Sequence, residues 1–355
     1  TALAARTGRL EPRDRQSLIE NLRQLAREFE DESSIQIALI QLLAQNRQFE
    51  EALYEIQQVL EIIDLTPNMV LLHGQVLQNM DDSEGATRVL RDGVRQFEDD
   101  KSLRLSFARL LIQNDDFKEA QEQFEIIVEQ DPEDWETLYS VALLDMELEN
   151  FDSAINNLEK LILADQRFDE SQYYLGFIYE QLEEMEKSIK HYREVRIGTN
   201  NFLAAQQQAT RHAINLGQLD DAHSWLIRQS SGQPRLEILF TTIESNLLIQ
   251  SGYITEAKTL LDSSLNRFPN ESELLFARVL YYDSQGDKAG SERDLQQIIR
   301  MQPDDSRALN HLGYMLADQT NRFEEALKLI ERAIAISPDD PAIIDSLAWA
   351  QYKLG

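Results

Sequence analysis

The chain repeats itself every 34 residues, and that period constrains its fold more than any other feature. A frame set at Ser33 restarts at Pro67, Lys101, Trp135, Asp169 and Leu203. It takes one extra residue before Ile238 and continues at Ser272 and Ser306. The repeat at Ser306 holds its own extra residue within Gln319–Asn321, and a half-repeat starts at Pro341. A unit this short cannot bury an apolar face alone, so nine full repeats must stack to make a core.

The residues that recur say what each unit is. Frame position 20 is always small: Ala52, Ala86, Ala120, Ala154, Ser188, Ala222, Ala257, Ser291, Ala326. Position 8 is mostly small, from Gly74 and Ala108 to Gly313 and Ala348, with Ile40 and Val279 as departures. Position 24 is always large and apolar, as at Ile56, Phe124, Tyr192 and Ile330. Two antiparallel helices crossing at small residues, with one large side chain filling the space between them, need this set. Position 17, often aromatic or aliphatic, opens the second helix. Proline at position 32 in five repeats (Pro132, Pro234, Pro269, Pro303, Pro338) is expected to stop it. Only 13 glycines and 8 prolines in 355 residues also favour long helices over strands.

This pattern resembles the tetratricopeptide-repeat (TPR) family from Ser33 to Gly355. The resemblance implies an all-α solenoid of antiparallel helix pairs wound into a right-handed superhelix. The expected organisation is an N-terminal segment 1–32, nine repeats over 33–340, and the first helix of a further repeat over 341–355. In the N-terminal segment, Leu18, Leu22, Leu25, Ala26 and Phe29 mark an amphipathic helix suited to be the second helix of a truncated repeat.

The last residues resemble something narrower. Leu312–Tyr314, Leu316–Asp318, Glu324–Leu327, Pro338–Ile343, Asp345–Ser346, Trp349 and Tyr352 resemble a TPR lipoprotein family of Gram-negative bacteria. That resemblance implies a periplasmic protein anchored in the outer membrane by a lipidated cysteine. It also implies an adaptor that partners and activates a carboxyl-terminal processing protease and brings it to cell-wall hydrolases. The alternative, of another class, is a structural assembly scaffold of an envelope or secretion complex. A cytosolic co-chaperone is a weaker third reading, because no tight Lys/Asn/Arg carboxylate clamp is visible: Arg109 and Arg211 lie three repeats apart.

Composition limits the partners. The formal net charge is −29, which repels phosphate backbones and anionic lipids alike. From Ile112 to Glu159 there are 15 acids and one base, Lys118. That stretch reads either as a solvated face or as a patch for a basic partner. There is no cysteine, so disulfides, thiolate metal sites and cysteine nucleophiles are absent. No stretch of 18 apolar residues could span a membrane. The five histidines form no HExxH motif, His73 sits at a packed position, and no phosphate loop or nucleophile elbow occurs. The acidic pairs Asp304–Asp305 and Asp339–Asp340 fall at repeat junctions, where helix capping accounts for them. The chain is expected to be no enzyme and to need neither cofactor nor metal.

Function is therefore expected on the concave face, at first-helix positions 2, 5, 9, 12 and 13, which should grip a protein or peptide. Candidate contacts are Tyr139, Tyr173, Phe177, Arg211, Asn246, Phe276, Asn310, Tyr314 and Trp349, among many amides such as Gln45, Gln78, Asn79 and Gln250. Tyr139, Tyr173 and Phe177 are expected to form the largest aromatic cluster of that face, unless the rings serve packing alone. The N-terminal TALAARTGRLEP reads as a mature or trimmed form. The half-repeat from Pro341 presents Ile343, Ile344, Leu347, Trp349, Tyr352 and Leu354, more than one buried stripe needs, so further repeats are expected to follow.

Overall fold

The structure, a computed structural model, describes residues 12–29, 32–62 and 64–355. Most of the TALAARTGRLEP segment lies outside the described residues. Among the described residues the chain is all helix and turn, with twenty helices and no strand. They divide into two compact units, Thr1–Ser171 and Gln172–Gly355.

The N-terminal unit holds α1 (Pro12–Glu28), α2 (Ser33–Gln45), α3 (Phe49–Leu60), α4 (Pro67–Asn79), α5 (Ser83–Gln96), α6 (Lys101–Gln113), α7 (Phe117–Gln130), α8 (Trp135–Glu147) and α9 (Phe151–Leu163). The division falls within α10 (Phe168–Gln181). The C-terminal unit continues with α11 (Met185–Glu194), α12 (Phe202–Asn215), α13 (Leu219–Ser230), α14 (Pro234–Gln250) and α15 (Ile254–Arg267). It ends with α16 (Ser272–Gln285), α17 (Lys288–Met301), α18 (Ser306–Gln319), α19 (Phe323–Ile336) and α20 (Pro341–Leu354).

The pairing follows from side-chain size. Each of the nine second helices starts at frame position 17, from Phe49 to Phe323. Every position-20 residue is buried, from Ala52 to Ala326, and so is every position-24 side chain, from Ile56 to Ile330. Burying each position-24 residue contributes roughly 1.5–3 kcal/mol. Position 8 is small because position 24 fills the space opposite: a Cβ on Gly176 would lie 2.6 Å from the Tyr192 ring, and one on Gly313 would lie 2.5 Å from Ile330. Where serine replaces alanine at position 20, its hydroxyl needs a partner. Ser188 Oγ donates to the Gly176 carbonyl at 2.8 Å.

The helix ends are also written locally. Asp305 and Asp340 accept hydrogen bonds from Ala308 N and Ala342 N, each at 2.9 Å, so these junction acids are helix caps. Pro341 follows at the first helical position. The extra residue near Thr320 is absorbed by an extended backbone, with Thr320 Oγ1 bonded to Leu316 O at 2.6 Å and to Arg322 N at 3.0 Å.

Two details differ from expectation. Pro234 does not merely end a second helix: α13 stops at Ser230, and Pro234 is the first residue of α14, which runs 17 residues. Proline suits both roles, since the first helical residue has no backbone N–H to lose. In α1 the buried residues are Ile19 and Leu22, while Leu25 and Phe29 are 40% and 50% exposed. Only the stripe that meets α2 is covered.

Candidate functional site: the first-helix faces

In each pair, the second helix covers positions 8 and 11 of the first helix, which leaves positions 2, 5, 9, 12 and 13 for other contacts. In the first two repeats of the N-terminal unit these positions line a groove of about 510 Å³. Ile37 and Leu71 form its apolar walls, and Gln41, Gln45, Asn68, Gln75 and Asn79 supply amides. Asn79 Nδ2 donates to the Gln75 carbonyl at 2.7 Å, which orients one of them. Amides offer a donor and an acceptor each, the complement of an extended peptide backbone.

The corresponding face of the C-terminal unit is aromatic. At position 9, Phe177, Leu280 and Tyr314 are 39%, 37% and 42% exposed, Arg211 is exposed, and Asn246 and Trp349 are half-buried. Phe276 lies beneath the Arg307 guanidinium, 4.5 Å from the ring centroid, and Arg307 is held by Glu273 at 2.9 Å. The His311 ring meets Phe276 edge-on at 5.5 Å, and its Nε2 lies 2.7 Å from Asp283. Burial would raise the Asp283 pKa, but hydrogen bonds from His311 and Ser291 hold it below the ordinary carboxylate value. Trp349 stacks on Tyr352 at 5.7 Å, with the Lys353 ammonium 4.7 Å from its ring. Two polar atoms of this face, Asn310 Oδ1 and Trp349 Nε1, are buried without a hydrogen-bond partner among the described residues. Leaving such a group unpaired costs roughly 1–3 kcal/mol.

The expected trio of rings divides between the units. Tyr139 is half-buried in the N-terminal unit, with the Arg167 guanidinium 5.2 Å from its ring. Tyr173 is half-buried and packs against Tyr192 at 5.6 Å and Tyr174 at 5.7 Å. Phe177 offers its ring outward. On α20, Ile343 is buried while Ile344, Tyr352 and Leu354 are exposed.

The histidines serve the helix packing. Burial lowers the pKa of His73. His191 Nδ1 donates to Gln172 at 2.8 Å and its ring stacks on Tyr179. His223 meets the buried Glu244 carboxylate at 3.0 Å, and that hydrogen bond raises its pKa. Among the described residues, no group of three or more His, Asp or Glu side chains could hold a metal ion. No described helix is long and apolar enough to cross a membrane.

Sequence reasoning missed one feature that a sliding charge window would have found. Between Lys187 and Leu236 stand seven bases and three acids, a local balance of +4 in a chain of −29.

Comparison with known proteins agrees with this architecture. The tetratricopeptide-repeat family model matches residues 141–202 and 276–341, so the chain carries tetratricopeptide repeats. A TPR repeat-containing protein of Pseudomonas aeruginosa is 37% identical over 164 residues, 46% of this chain and 28% of that protein. The chain thus spans under a third of the length of this relative. Among solved structures, a chain of the Naa15/Naa10 complex bound to HypK-THB matches 99% of this chain and 66% of its own length, at 13% identity and a TM-score of 0.48. The C-terminal part of a TPR repeat-containing protein of Cytophaga hutchinsonii matches 78% of this chain and 99% of its own, at 15% identity and a TM-score of 0.46. Tetratricopeptide repeats are protein-interaction modules, and proteins built from them are generally non-catalytic scaffolds.

Proposed function

We propose that this chain is a non-catalytic adaptor whose protein ligand docks on the first-helix face of the C-terminal unit. In this reading it works in the periplasm of a Gram-negative cell, held at the outer membrane through a lipid anchor upstream. There it binds and activates a carboxyl-terminal processing protease and presents cell-wall hydrolases to it. The observation that carries the docking site is the row of exposed position-9 side chains on this face, Phe177, Arg211, Leu280 and Tyr314. The exposed rings and Leu280 supply apolar contact to a docked segment, and Arg211 supplies a charged hydrogen-bond donor. Support for the protease partner comes from Tyr314 and Trp349, which belong both to the residues resembling the lipoprotein family and to this face.

The test is a calorimetric titration of the chain with a purified carboxyl-terminal processing protease, followed by an assay of cell-wall hydrolase cleavage. Binding and faster cleavage are expected. Tyr314→Ala with Trp349→Ala should weaken binding at least tenfold, since a central aromatic anchor is worth about 2 kcal/mol or more. No binding by the wild-type chain, or undiminished binding by a folded double variant, ends the reading.

A further inference from the structure

A second surface lies two repeats before Tyr314 along the chain, where the repeat pattern is least regular. Helix α11 is short and stops at Glu194, so the seven residues 195–201 form a link before α12. Helix α14 starts at Pro234, one turn earlier than the frame position Ile238. That additional turn sets Arg235, Leu236 and Leu239 beside the link and the first turn of α12. Together they enclose a notch of about 830 Å³.

The notch has a rigid floor and an open apolar rim. Phe202 forms the floor, 4% exposed, with its ring 6.1 Å from the buried ring of Phe240. Around it Ile197, Leu203 and Leu239 are 51%, 44% and 38% exposed. Three large aliphatic side chains gathered around one cavity are not the scattered exposed residues of an ordinary surface.

Charge identifies the occupant. Its lining residues other than Leu239 fall in Lys187–Leu236, the run with seven bases and three acids. Arg235 lines it, is exposed, and forms no ion pair among the described residues. Glu237, the next acid along α14, is instead paired with Arg267 and lines a different groove. In a chain of net charge −29, an acidic segment is repelled by most of the surface and tolerated beside an exposed arginine with no ion pair among the described residues. We infer that this notch binds a net-acidic, extended segment of a partner protein, with large apolar side chains seated over Phe202 and its carboxylates facing Arg235. The site is separate from the aromatic face and does not depend on it.

A random twelve-residue phage-displayed peptide library, panned on the full chain and depleted on a Leu203→Glu/Leu239→Glu variant, tests this. Sequences with net negative charge and at least two large apolar residues should be enriched. The synthetic consensus peptide should bind at least tenfold more weakly to Leu239→Glu and several-fold more weakly to Arg235→Glu, with a steep loss in salt. Binding to Tyr314→Ala should be unchanged, which separates this site from the adaptor reading. Arg235 is a surface residue, so Arg235→Glu keeps the test open if Leu239→Glu does not fold. Enrichment of neutral or basic sequences, no enrichment, or binding that survives Arg235→Glu in a folded chain overturns the inference. So does self-association in sedimentation that Leu239→Glu abolishes without any peptide enrichment, because the occupant is then a second copy.

Discussion

The two units close the same helix pair with the same turn but with different residues. At frame position 15 the N-terminal unit has Arg47, Asp81, Asp115 and Glu149, all left-handed with φ between 58° and 60°. The C-terminal unit has Glu183 and then Gly217, Gly252 and Gly286 in the same conformation. The closing hydrogen bond is also the same: Asp116 N to Leu111 O and Tyr253 N to Leu248 O, both 2.8 Å. A residue with a Cβ in this conformation costs roughly 1–2 kcal/mol. The turn is therefore imposed by the packing at positions 8, 20 and 24, which outweighs local preference. A second contrast is electrostatic. The N-terminal unit buries Asp145 completely, at frame position 11, where Leu43, Leu77 and Leu111 sit in the earlier repeats. Gln121, Ser153 and Asn157 donate to its carboxylate at 2.6, 2.8 and 3.0 Å. The C-terminal unit has no acid at that position; its buried carboxylates, Glu244 and Asp294, lie elsewhere, beside His223 and Arg278, and it also half-buries the His191 imidazole.

Acidification should give the largest effect, centred on His191 of the C-terminal unit. Burial, reinforced by Lys190 and Lys187, lowers the His191 pKa from 6.5 to about 4. Between those values the unfolded chain binds more protons than the folded one. The His191 contribution is thus present above pH 6.5 and lost as pH falls through 4, at most ~3 kcal/mol. Asp145 has the opposite sign: burial raises its pKa, with the three hydrogen bonds opposing, so above pH 3.8 the folded unit holds the proton more readily. Hydrogen-exchange protection around α11 should therefore decline as pH falls from 7 to 4, and His191→Gln should remove that decline. A decline around α11 that persists in a folded His191→Gln chain ends this account.

The helix crossing should be where the units behave alike. Ala154 and Ala257 are both fully buried at position 20. Ala154→Leu and Ala257→Leu should each cost ~1–3 kcal/mol by overpacking, with exchange protection lost in the altered pair before the rest. A urea midpoint unchanged from wild type in either variant would mean that its unit does not depend on a close crossing.

The smallest expected effects lie at the turns and have opposite signs. Glu149→Gly should stabilise by up to about 1 kcal/mol by relieving the left-handed conformation. Gly252→Ala should destabilise by about 1 kcal/mol for the same reason, although no atom lies within 4 Å of its Cβ position. Urea denaturation of the two variants decides this; shifts of the same sign would show that something other than φ sets these turns.

Much of the fold was legible because its determinants recur at fixed spacing. The start of every second helix, the small crossing residue and the large filler could be read from single positions of the frame. First-helix starts were less secure: α10 and α12 begin one residue early, at Phe168 and Phe202, and α14 begins four residues early. Proline misled there because it fits the end of one helix and the start of the next. The binding faces were legible only as positions. Tyr173 and Phe177 occupy equivalent inner-face sites by spacing, yet one ring packs against Tyr192 and the other is open.

The sequence by itself determined the contacts within a repeat. These join residues 12 to 16 apart through side-chain size, and a 34-residue period states them nine times over. Tertiary structure alone decided what remains exposed. Exposure depends on how neighbouring repeats meet, and a single additional turn on α14 or a short α11 alters that meeting while leaving the period intact. The Phe202 notch and the unpaired atoms of Asn310 and Trp349 arise at that level, where no residue carries the information alone.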